Sequence, residues 1–144
     1  EKREARRGQQ RALVLDLDHL KGDASLLEAI AWYRGEGWLV FVHAWRPQVA
    51  RGEATPESVE EEFVSLRRAL GGEVEWAYCP HDAGPPVCWC RKPIPGQVIE
   101  FALRRNVDLN RSIVLGTAAA DRTMAERVGA IFETALLFAS RRVD

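Results

Sequence analysis

The sequence lacks the features that mark a membrane protein, a disulfide scaffold or a basic nucleic-acid binder. No apolar run approaches the ~20 residues that a membrane-spanning helix needs. The 20 basic and 21 acidic residues nearly cancel, so no overall field attracts nucleic acid or an anionic membrane. Residues 1–7 are mostly charged and lack the apolar segment of a signal peptide. There are only three cysteines, and an odd number does not form a disulfide framework by itself.

The sequence does contain an alternation of short aliphatic runs and helical segments, within 144 residues that suit one domain. Residues 1–10 are expected to be a polar lead-in, and residues 11–144 a single domain. The predicted strands are residues 11–18, 38–43, 74–78, 112–116 and 130–134, and the predicted helices are 24–35, 56–70, 97–106 and 121–128. Residues 47–55 are expected to be a loop, and residues 135–144 a strand, a short helix or a tail. This alternation predicts an α/β domain with a parallel sheet covered on both faces.

Potential metal ligands are concentrated in one loop, residues 79–90. It carries Cys79 and His81, a six-residue span rich in proline and glycine, and then Cys88 and Cys90. Four such ligands can surround one ion as a tetrahedron, which is the arrangement that structural zinc prefers. The alternatives are a cysteine-rich loop with an ordinary histidine, and a disulfide with one free thiol. The density of ligands favours zinc, and thiols grouped in this way favour a reducing cytoplasm.

Charged side chains follow several of the predicted strands. Asp16 and Asp18 end the first strand, Arg46 follows the second, and Asp121 follows the fourth, while Lys92 precedes the helix that leads to the fourth strand. Ligands of such sheets bind at the carboxyl ends of the strands. Two acids two residues apart can bind a hard cation, or one can act as a nucleophile while the other moves a proton. The alternative is a pair of solvated acids in a turn.

Four stretches carry a family resemblance: residues 13–18, 49–55, 78–96 and 108–121. Together they resemble the haloacid-dehalogenase superfamily of phosphotransferases, and within it the histidinol-phosphate and D-glycero-D-manno-heptose bisphosphate phosphatases. The third stretch, with Arg91, Lys92 and Pro93 directly after the ligand-rich loop, is the most specific. The resemblance covers residues 11–134. It implies a three-layer, Rossmann-like fold with sheet order 3-2-1-4-5, a small zinc loop and no large cap domain.

The resemblance also implies roles for individual residues. Asp16 would attack phosphorus and form an aspartyl-phosphate, and Asp18 would act as general acid and then as base. Magnesium would be held by Asp16, the backbone carbonyl of Asp18, and Asp121 from the fourth motif. Lys92 would neutralise the phosphoryl group and the attacking carboxylate. Arg91 matches a contact to the phosphate of the substrate.

Three motifs depart from the family pattern. His19-Leu20 stands for Gly-Thr, Ala44-Trp45-Arg46 for Thr-Asn-Gln or Ser-Asn-Gln, and Thr117 for the first acid of the fourth motif. Ala44 has no donor, and loss of one preorganised donor costs roughly 10²–10³ in rate. Thr117 removes an anionic ligand of magnesium. Arg46 could supply a charged fork in place of the missing donor, and Arg46 and Arg51 are predicted to contact substrate.

These observations predict a phosphatase-like domain related to sugar and polyol phosphate phosphatases, catalytically impaired and with a binding or structural role. The alternative is an active or slow magnesium-dependent phosphomonoesterase that forms an aspartyl-phosphate. A nucleic-acid end phosphatase is disfavoured because there is no basic stripe with interleaved aromatic residues. The expected cofactors are structural zinc and magnesium at a weakened site, and the expected ligand is a small phosphorylated metabolite. The chain begins with Glu1 rather than methionine, which suits one domain of a larger chain.

Overall fold

The structure is a computed structural model that describes residues 10–20, 23–83, 88–90, 92, 94–117, 119–135 and 138. Within these ranges the chain forms a five-stranded sheet in the order β3-β2-β1-β4-β5, with every paired strand parallel. The strands are β1 (Ala12–Asp16), β2 (Leu39–Trp45), β3 (Glu75–Cys79), β4 (Ile113–Gly116) and β5 (Ile131–Thr134). The predicted strand order and fold class are confirmed.

Five α-helices belong to the described residues: α1 (Ala24–Gly35), α2 (Pro47–Ala50), α3 (Pro56–Leu70), α4 (Gly96–Arg105) and α5 (Ala119–Val128). Short 3₁₀ turns lie at Leu17–His19 and Leu109–Arg111. Within the described ranges, each helix is too short or too polar to span a lipid bilayer.

The core lies on both faces of the sheet, because successive side chains of a strand point to opposite sides. Leu13 and Leu15 of β1 belong to the cluster that α1 and α3 cover, and Phe63 of α3 is fully buried there. Val14 belongs to the opposite cluster, which α4 and α5 cover. In that cluster, the ring of Phe101 of α4 stacks on the ring of Phe41 of β2. The result is the three-layer arrangement that the near-continuous apolar strands predict.

The strand register brings the conspicuous side chains to one edge of the sheet. Asp16, the last residue of β1, pairs with His43 of β2. Trp45, the last residue of β2, pairs with Cys79 of β3. The carboxyl ends of three neighbouring strands therefore meet where the first motif ends and the cysteine-rich loop begins.

Two local predictions differ from the structure. The strand predicted for residues 11–18 ends at Asp16, and a 3₁₀ turn follows in which Asp16 is the N-cap. The loop prediction for residues 47–55 is wrong in part, because Pro47–Ala50 forms a short helix. Pro47 stands in the first turn, where its fixed φ suits a helix and its missing N–H is not needed.

Parts of the sequence-based prediction lie outside the described residues. They are residues 1–9 of the predicted lead-in, the centre of the cysteine-rich loop at 84–87, Arg91, and most of 135–144. The division into a lead-in and one domain stays a prediction.

Helix α3 begins at a complete capping box. The Thr55 side chain accepts a hydrogen bond from the Ser58 amide at 3.0 Å, and the Ser58 hydroxyl accepts one from the Thr55 amide at 3.2 Å. Two amide groups that the helix cannot satisfy internally are thereby paired. The helix carries Glu62, whose carboxylate accepts hydrogen bonds from Arg46 at the end of β2.

We expect Thr55→Ala to lower the free energy of unfolding by about 1 kcal/mol, because it removes this cap. Urea denaturation measures the loss. The control is Ser65→Ala, which removes a hydroxyl from an exposed position inside the same helix. Equal effects of the two substitutions would contradict a specific capping role.

Candidate active site

Asp16 lies at the centre of the site, at the end of the central strand β1. It is 6% exposed. One carboxylate oxygen, Oδ1, accepts a hydrogen bond from the Asp18 amide at 2.8 Å, because Asp16 caps the 3₁₀ turn that follows β1. The other oxygen, Oδ2, lies 2.8 Å from Nζ of Lys92. Both oxygens are thus held in fixed directions by the fold.

Lys92 joins Asp16 to a second buried acid, Asp121. Its Nζ lies 2.7 Å from Oδ1 of Asp121, whose side chain is fully buried. The Thr117 amide donates to Oδ2 of Asp121 at 3.2 Å. Gly116 makes room for this acid, since a Cβ at that position would lie 2.3 Å from the Asp121 Cγ. The sequence-predicted residues of the first and fourth motifs therefore meet at one ammonium group.

The charges of this group set its protonation. Burial acts to raise the pKa of Asp16, but His43, Lys92 and the Asp18 amide outweigh it and hold the pKa below its ordinary value. Burial lowers the pKa of His43 to about 4, against the opposing field of Asp16. Because His43 is neutral above that pH, Lys92 is the cation that acts on Asp16 at neutral pH. Burial also acts to lower the pKa of Lys92, but Asp121 and Asp16 raise it overall. At neutral pH Asp16 is therefore an anion and Lys92 a cation.

Arg46 holds the carboxylate of Asp18. Its Nη1 and Nη2 donate to the two Asp18 oxygens at 3.0 and 2.8 Å. Its Nε and Nη2 also donate to the two oxygens of Glu62 at 3.1 and 2.7 Å. The hydrogen bonds from Arg46 to Glu62 and, to a smaller extent, to Asp18 raise the pKa of the guanidinium above its ordinary value. Burial acts in the opposite direction but is outweighed. Asp18 is thus part of an Arg46-centred ion-pair cluster, which we call the Arg46 clamp (Asp18, Arg46 and Glu62).

Two of the departures from the family pattern contact each other. His19 Nε2 lies 3.4 Å from the Thr117 hydroxyl. Nδ1 of the same ring lies 3.7 Å from Oδ2 of Asp121. The bulky residue after the first motif therefore fills space beside the residue that stands for the lost acid.

The remaining oxygen donors fit a hard cation. Asp16 and Asp121 bring two buried carboxylates to the single ammonium of Lys92. Carboxylate oxygens are the ligands that magnesium prefers. Thr117 offers a neutral oxygen where the family has an anionic one, so the donor set is reduced in charge.

A cavity of about 320 Å³ opens at this edge of the sheet. Its lining includes the two acids of the first motif, the cation and three residues of β2: Asp16, Asp18, Lys92, His43, Ala44, Trp45 and also Ala120. We call it the Asp16–Lys92 cavity. Among the described residues, Nε2 of His43 is buried without a hydrogen-bond partner.

The four predicted ligands of the cysteine-rich loop come together beside this cavity. One potential ligand atom from each of Cys79, His81, Cys88 and Cys90 lies within 4.8 Å of the others. Cys79 Sγ lies 3.3 Å from Cys88 Sγ and 3.4 Å from His81 Nδ1, and Cys90 Sγ lies 3.2 Å from the same nitrogen. The cluster could hold a metal such as zinc.

The electrostatics of the cluster favour a thiolate at Cys88. Burial acts to raise its pKa, but the Cys90 amide and the neighbouring thiols and His81 lower it to about 6. Burial and the thiols of Cys79 and Cys88 raise the pKa of Cys90. Thiolates are the form in which cysteine binds metal.

The loop is attached to the rest of the protein at both ends. Trp45 Nε1 donates to the His81 carbonyl at 2.8 Å, and the Arg46 amide donates to the Cys79 carbonyl at 2.8 Å. Further along, the Gly96 amide donates to the Trp89 carbonyl at 3.0 Å, and a Cβ on Gly96 would lie 2.3 Å from that oxygen. The metal-ligand cluster and the end of β2 therefore form one hydrogen-bonded unit.

Other predicted substrate contacts lie elsewhere or outside the described residues. Arg51 is exposed, with Nε 3.6 Å from Glu53 and Nη1 3.9 Å from Asp82, and does not line the Asp16–Lys92 cavity. Arg91 is outside the described residues, so its role stays a prediction. The contact between Glu62 and Arg46 was not predicted from the sequence, because nothing in the run Glu60-Glu61-Glu62 indicates which of the three carboxylates contacts Arg46.

No protein-family model matches the chain. The chain is 36% identical over 109 residues to the D-glycero-beta-D-manno-heptose-1,7-bisphosphate 7-phosphatase of Pseudomonas putida. The matched region covers 72% of this chain and 61% of the relative. The enzyme of the same name from Pseudomonas aeruginosa is also 36% identical over 109 residues, or 72% of this chain and 60% of the relative. The chain thus spans about three fifths of the length of these curated relatives.

A solved structure with the same fold is D,D-heptose 1,7-bisphosphate phosphatase from B. bronchiseptica, complexed with magnesium and phosphate. It matches with a TM-score of 0.71 and 27% sequence identity over 85% of this chain and 79% of that one. The sequence and the fold therefore point to the same group of phosphatases.

His43 is expected to make stability depend on pH. Its pKa falls from 6.5 to about 4 on folding, so between these values the unfolded chain binds a proton that the folded chain does not. The free energy of unfolding should therefore decrease as the pH falls from 6.5 to 4, by on the order of 3 kcal/mol. Urea denaturation at a series of pH values measures this.

The control is His43→Val, which places a β-branched apolar side chain in the strand and removes the titrating group. Both proteins are compared at the same metal content, because acid also protonates the cysteine and histidine ligands. The difference between them isolates His43, since the lowered pKa of Asp16 places its titration below this window. A difference that stays constant from pH 6.5 to 4 would contradict a buried, neutral imidazole.

Proposed function

We propose a function for this chain on the basis of its family. The chain belongs to the haloacid-dehalogenase (HAD) superfamily. The chain is a HAD-type phosphatase domain related to the heptose bisphosphate phosphatases. We infer that it binds the phosphate of a small phosphorylated metabolite at Asp16 and Lys92 and hydrolyses it slowly. The observation that carries the slow turnover is the Arg46 clamp, which occupies both oxygens of Asp18.

Phosphate binding is assigned to the charges around Asp16. Lys92 presents an ammonium to the cavity, and a phosphoryl oxygen placed there would gain a charge-assisted hydrogen bond. The Asp16 carboxylate is ionised and its position is fixed by two contacts, as a nucleophile requires. Attack on phosphorus would form an aspartyl-phosphate and release the alcohol, and water would then cleave the acyl phosphate.

The step that we expect to be slow is proton transfer by the general acid, Asp18. To protonate the leaving alcohol, Asp18 must carry a proton on one carboxylate oxygen. Arg46 donates to both of those oxygens, so a proton on either would displace one charge-assisted hydrogen bond. General acid–base catalysis contributes roughly 10²–10⁴-fold, and holding Asp18 as an ion pair removes much of that contribution.

Magnesium fits the same site with fewer anionic ligands. Asp16 and Asp121 would hold the ion with the backbone carbonyl of Asp18. A bound magnesium ion would supply positive charge against the phosphoryl oxygens. Thr117, which stands where the family has an acid, weakens this binding.

An active phosphomonoesterase is the second candidate, and one observation favours it. The Asp16–Lys92–Asp121 arrangement is complete, with both contacts of the ammonium at 2.8 Å or less. In that case Arg46 would move from Asp18 to the phosphate when substrate binds, in the role that the sequence predicts for it. A nucleic-acid substrate is disfavoured by the nearly neutral net charge.

The test compares hydrolysis of a panel of small phosphate monoesters with magnesium by wild type, Asp16→Asn and Arg46→Gln. We expect low wild-type turnover that Asp16→Asn abolishes. Arg46→Gln should raise turnover by about tenfold or more, because it frees the general acid. Arg68→Gln, an exposed arginine on α3, is the matched control and should leave turnover unchanged.

Two outcomes would contradict these proposals. Equal background from wild type and Asp16→Asn would exclude hydrolysis through Asp16. Rapid wild-type turnover that falls in Arg46→Gln would exclude the impaired domain and support the active enzyme, with Arg46 as a substrate contact.

We further propose that the metal of the Cys79 cluster is structural zinc. Three thiolates and one imidazole fill four coordination positions with protein ligands, which leaves none for substrate. The cluster holds the loop that carries Lys92 and the carbonyl that Trp45 binds. Because zinc needs reduced thiols here, the proposal includes a reducing compartment such as the cytoplasm.

Metal analysis of freshly purified protein should find about one zinc ion per chain. His81→Asn should lower the zinc content and the free energy of unfolding, because it removes a ligand. His19→Asn is the control, since His19 lies outside the cluster and should leave the zinc content unchanged. Less than about half an equivalent of zinc in the wild type would contradict the proposal.

A further inference from the structure

A buried histidine in the wall of the active-site cavity has a ring nitrogen without a hydrogen-bond partner. Among the described residues, the side chains with a buried nitrogen or oxygen that makes no hydrogen bond are His19, Arg34, His43, Gln48 and Gln97. Of this set, only His43 lines the Asp16–Lys92 cavity, and its unpartnered atom is Nε2. A buried polar atom without a partner is destabilising, so its presence beside a cavity calls for an explanation.

The sheet fixes the position of this histidine. His43 belongs to β2, and its backbone pairs with Asp16 of β1 on one side and with Ala77 of β3 on the other. The residue is 6% exposed. The imidazole is therefore held in the cavity wall by two neighbouring strands.

The charged groups around the imidazole do not supply the missing partner. Nζ of Lys92 lies 2.8 Å from Asp16 and 2.7 Å from Asp121. The charges of these three groups and of His19 act on His43. None of them forms a hydrogen bond with Nε2, however. An oxygen of a ligand in the cavity can take the position that they leave open.

Phosphate has the acceptors that this nitrogen needs. A neutral imidazole carries one hydrogen, on either ring nitrogen, and a hydrogen on Nε2 makes that atom a donor. A hydrogen bond from such a donor to an anionic oxygen is stronger than one between two neutral groups. Ala44, the next residue of β2, lines the same cavity and has no side-chain donor. The imidazole therefore offers a donor in the wall where the neighbouring residue has none.

We propose that Nε2 of His43 donates a hydrogen bond to a phosphoryl oxygen of the bound ligand, and that His43 thereby replaces the donor missing at Ala44. This inference rests on the proposed function, because it assumes that the phosphate binds at Asp16 and Lys92. It adds a phosphate contact from β2 that the family resemblance does not imply.

The experiment measures the affinity for inorganic phosphate by calorimetry, at neutral pH and a fixed magnesium concentration. Phosphate is a product of the proposed reaction, so wild-type protein can be used without turnover. His43→Leu should bind phosphate about tenfold more weakly, because it removes a hydrogen bond to an anion. His43→Gln should keep most of the affinity, since its side-chain amide retains a donor.

Gln97→Leu is the matched control. Gln97 also has a buried atom without a partner, Oε1, and its Nε2 donates to the Tyr78 carbonyl at 3.0 Å. It does not line the Asp16–Lys92 cavity, so this substitution should leave the phosphate affinity unchanged.

A second measurement uses wild-type protein and does not depend on the folding of a variant. With isotope-labelled histidine, nuclear magnetic resonance reports which ring nitrogen of His43 carries the hydrogen. Added phosphate should place the hydrogen on Nε2 and shift the resonance of that nitrogen.

The outcomes separate this inference from the proposed function. If wild type does not bind phosphate, the proposed function fails, and the inference fails with it. If wild type binds phosphate but His43→Leu binds it equally well, or if the Nε2 resonance does not respond, the contact is overturned while phosphate binding stands. Equal losses of affinity in His43→Leu and Gln97→Leu would overturn a direct contact. A loss in His43→Gln as large as that in His43→Leu would overturn the hydrogen bond as its cause.

Discussion

One ammonium group between two buried carboxylates organises the site. Nζ of Lys92 lies within 2.8 Å of both Asp16 and Asp121, which come from the ends of a central strand and the start of a helix. The two carboxylates are buried, and burying a charge without a partner is costly. The lysine thus satisfies two carboxylates and ties the cysteine-rich loop to the sheet. The positive charge that we propose to bind phosphate is therefore the same charge that links these parts of the fold.

The Arg46 clamp is the counterpart of that arrangement on the other acid of the first motif. Asp16 faces a lysine that can serve a phosphate, while Asp18 faces a guanidinium shared with Glu62. The two acids are two residues apart, yet their surroundings give them different roles. Asp16 is held by Lys92 at 2.8 Å, whereas both carboxylate oxygens of Asp18 accept hydrogen bonds from Arg46. The two acids of the first motif therefore have different cationic partners, and the proposed slow turnover rests on this difference.

The parallel sheet and the convergence of acids at its edge could be predicted from the residues, while the sheet order and the position of Lys92 beside Asp16 followed from the family resemblance. Short aliphatic runs fix the strands, and acids at their ends converge because the strands are parallel. The role of Glu62 could not be predicted, because it depends on how α3 is rotated against β2, and Glu60 and Glu61 have the same chemistry. The contact between His19 and Thr117 was likewise hidden, since the two residues are 98 positions apart and each is unusual for a different motif. Local sequence thus determines where the site lies, while tertiary packing determines which charges neutralise one another there.

Strand β3 lies at the edge of the sheet, and among the described residues no other strand pairs with its outer side. Such an edge can pair with a strand of another molecule and begin aggregation. Here the strand is only five residues long, and at its first residue Glu75 forms ion pairs with Arg104, at 2.6 Å, and Arg105 of α4. At its last residue, Cys79 enters the metal-ligand cluster. The two ends of this edge strand are therefore anchored differently, the first by ion pairs to α4 and the last by the cysteine–histidine cluster.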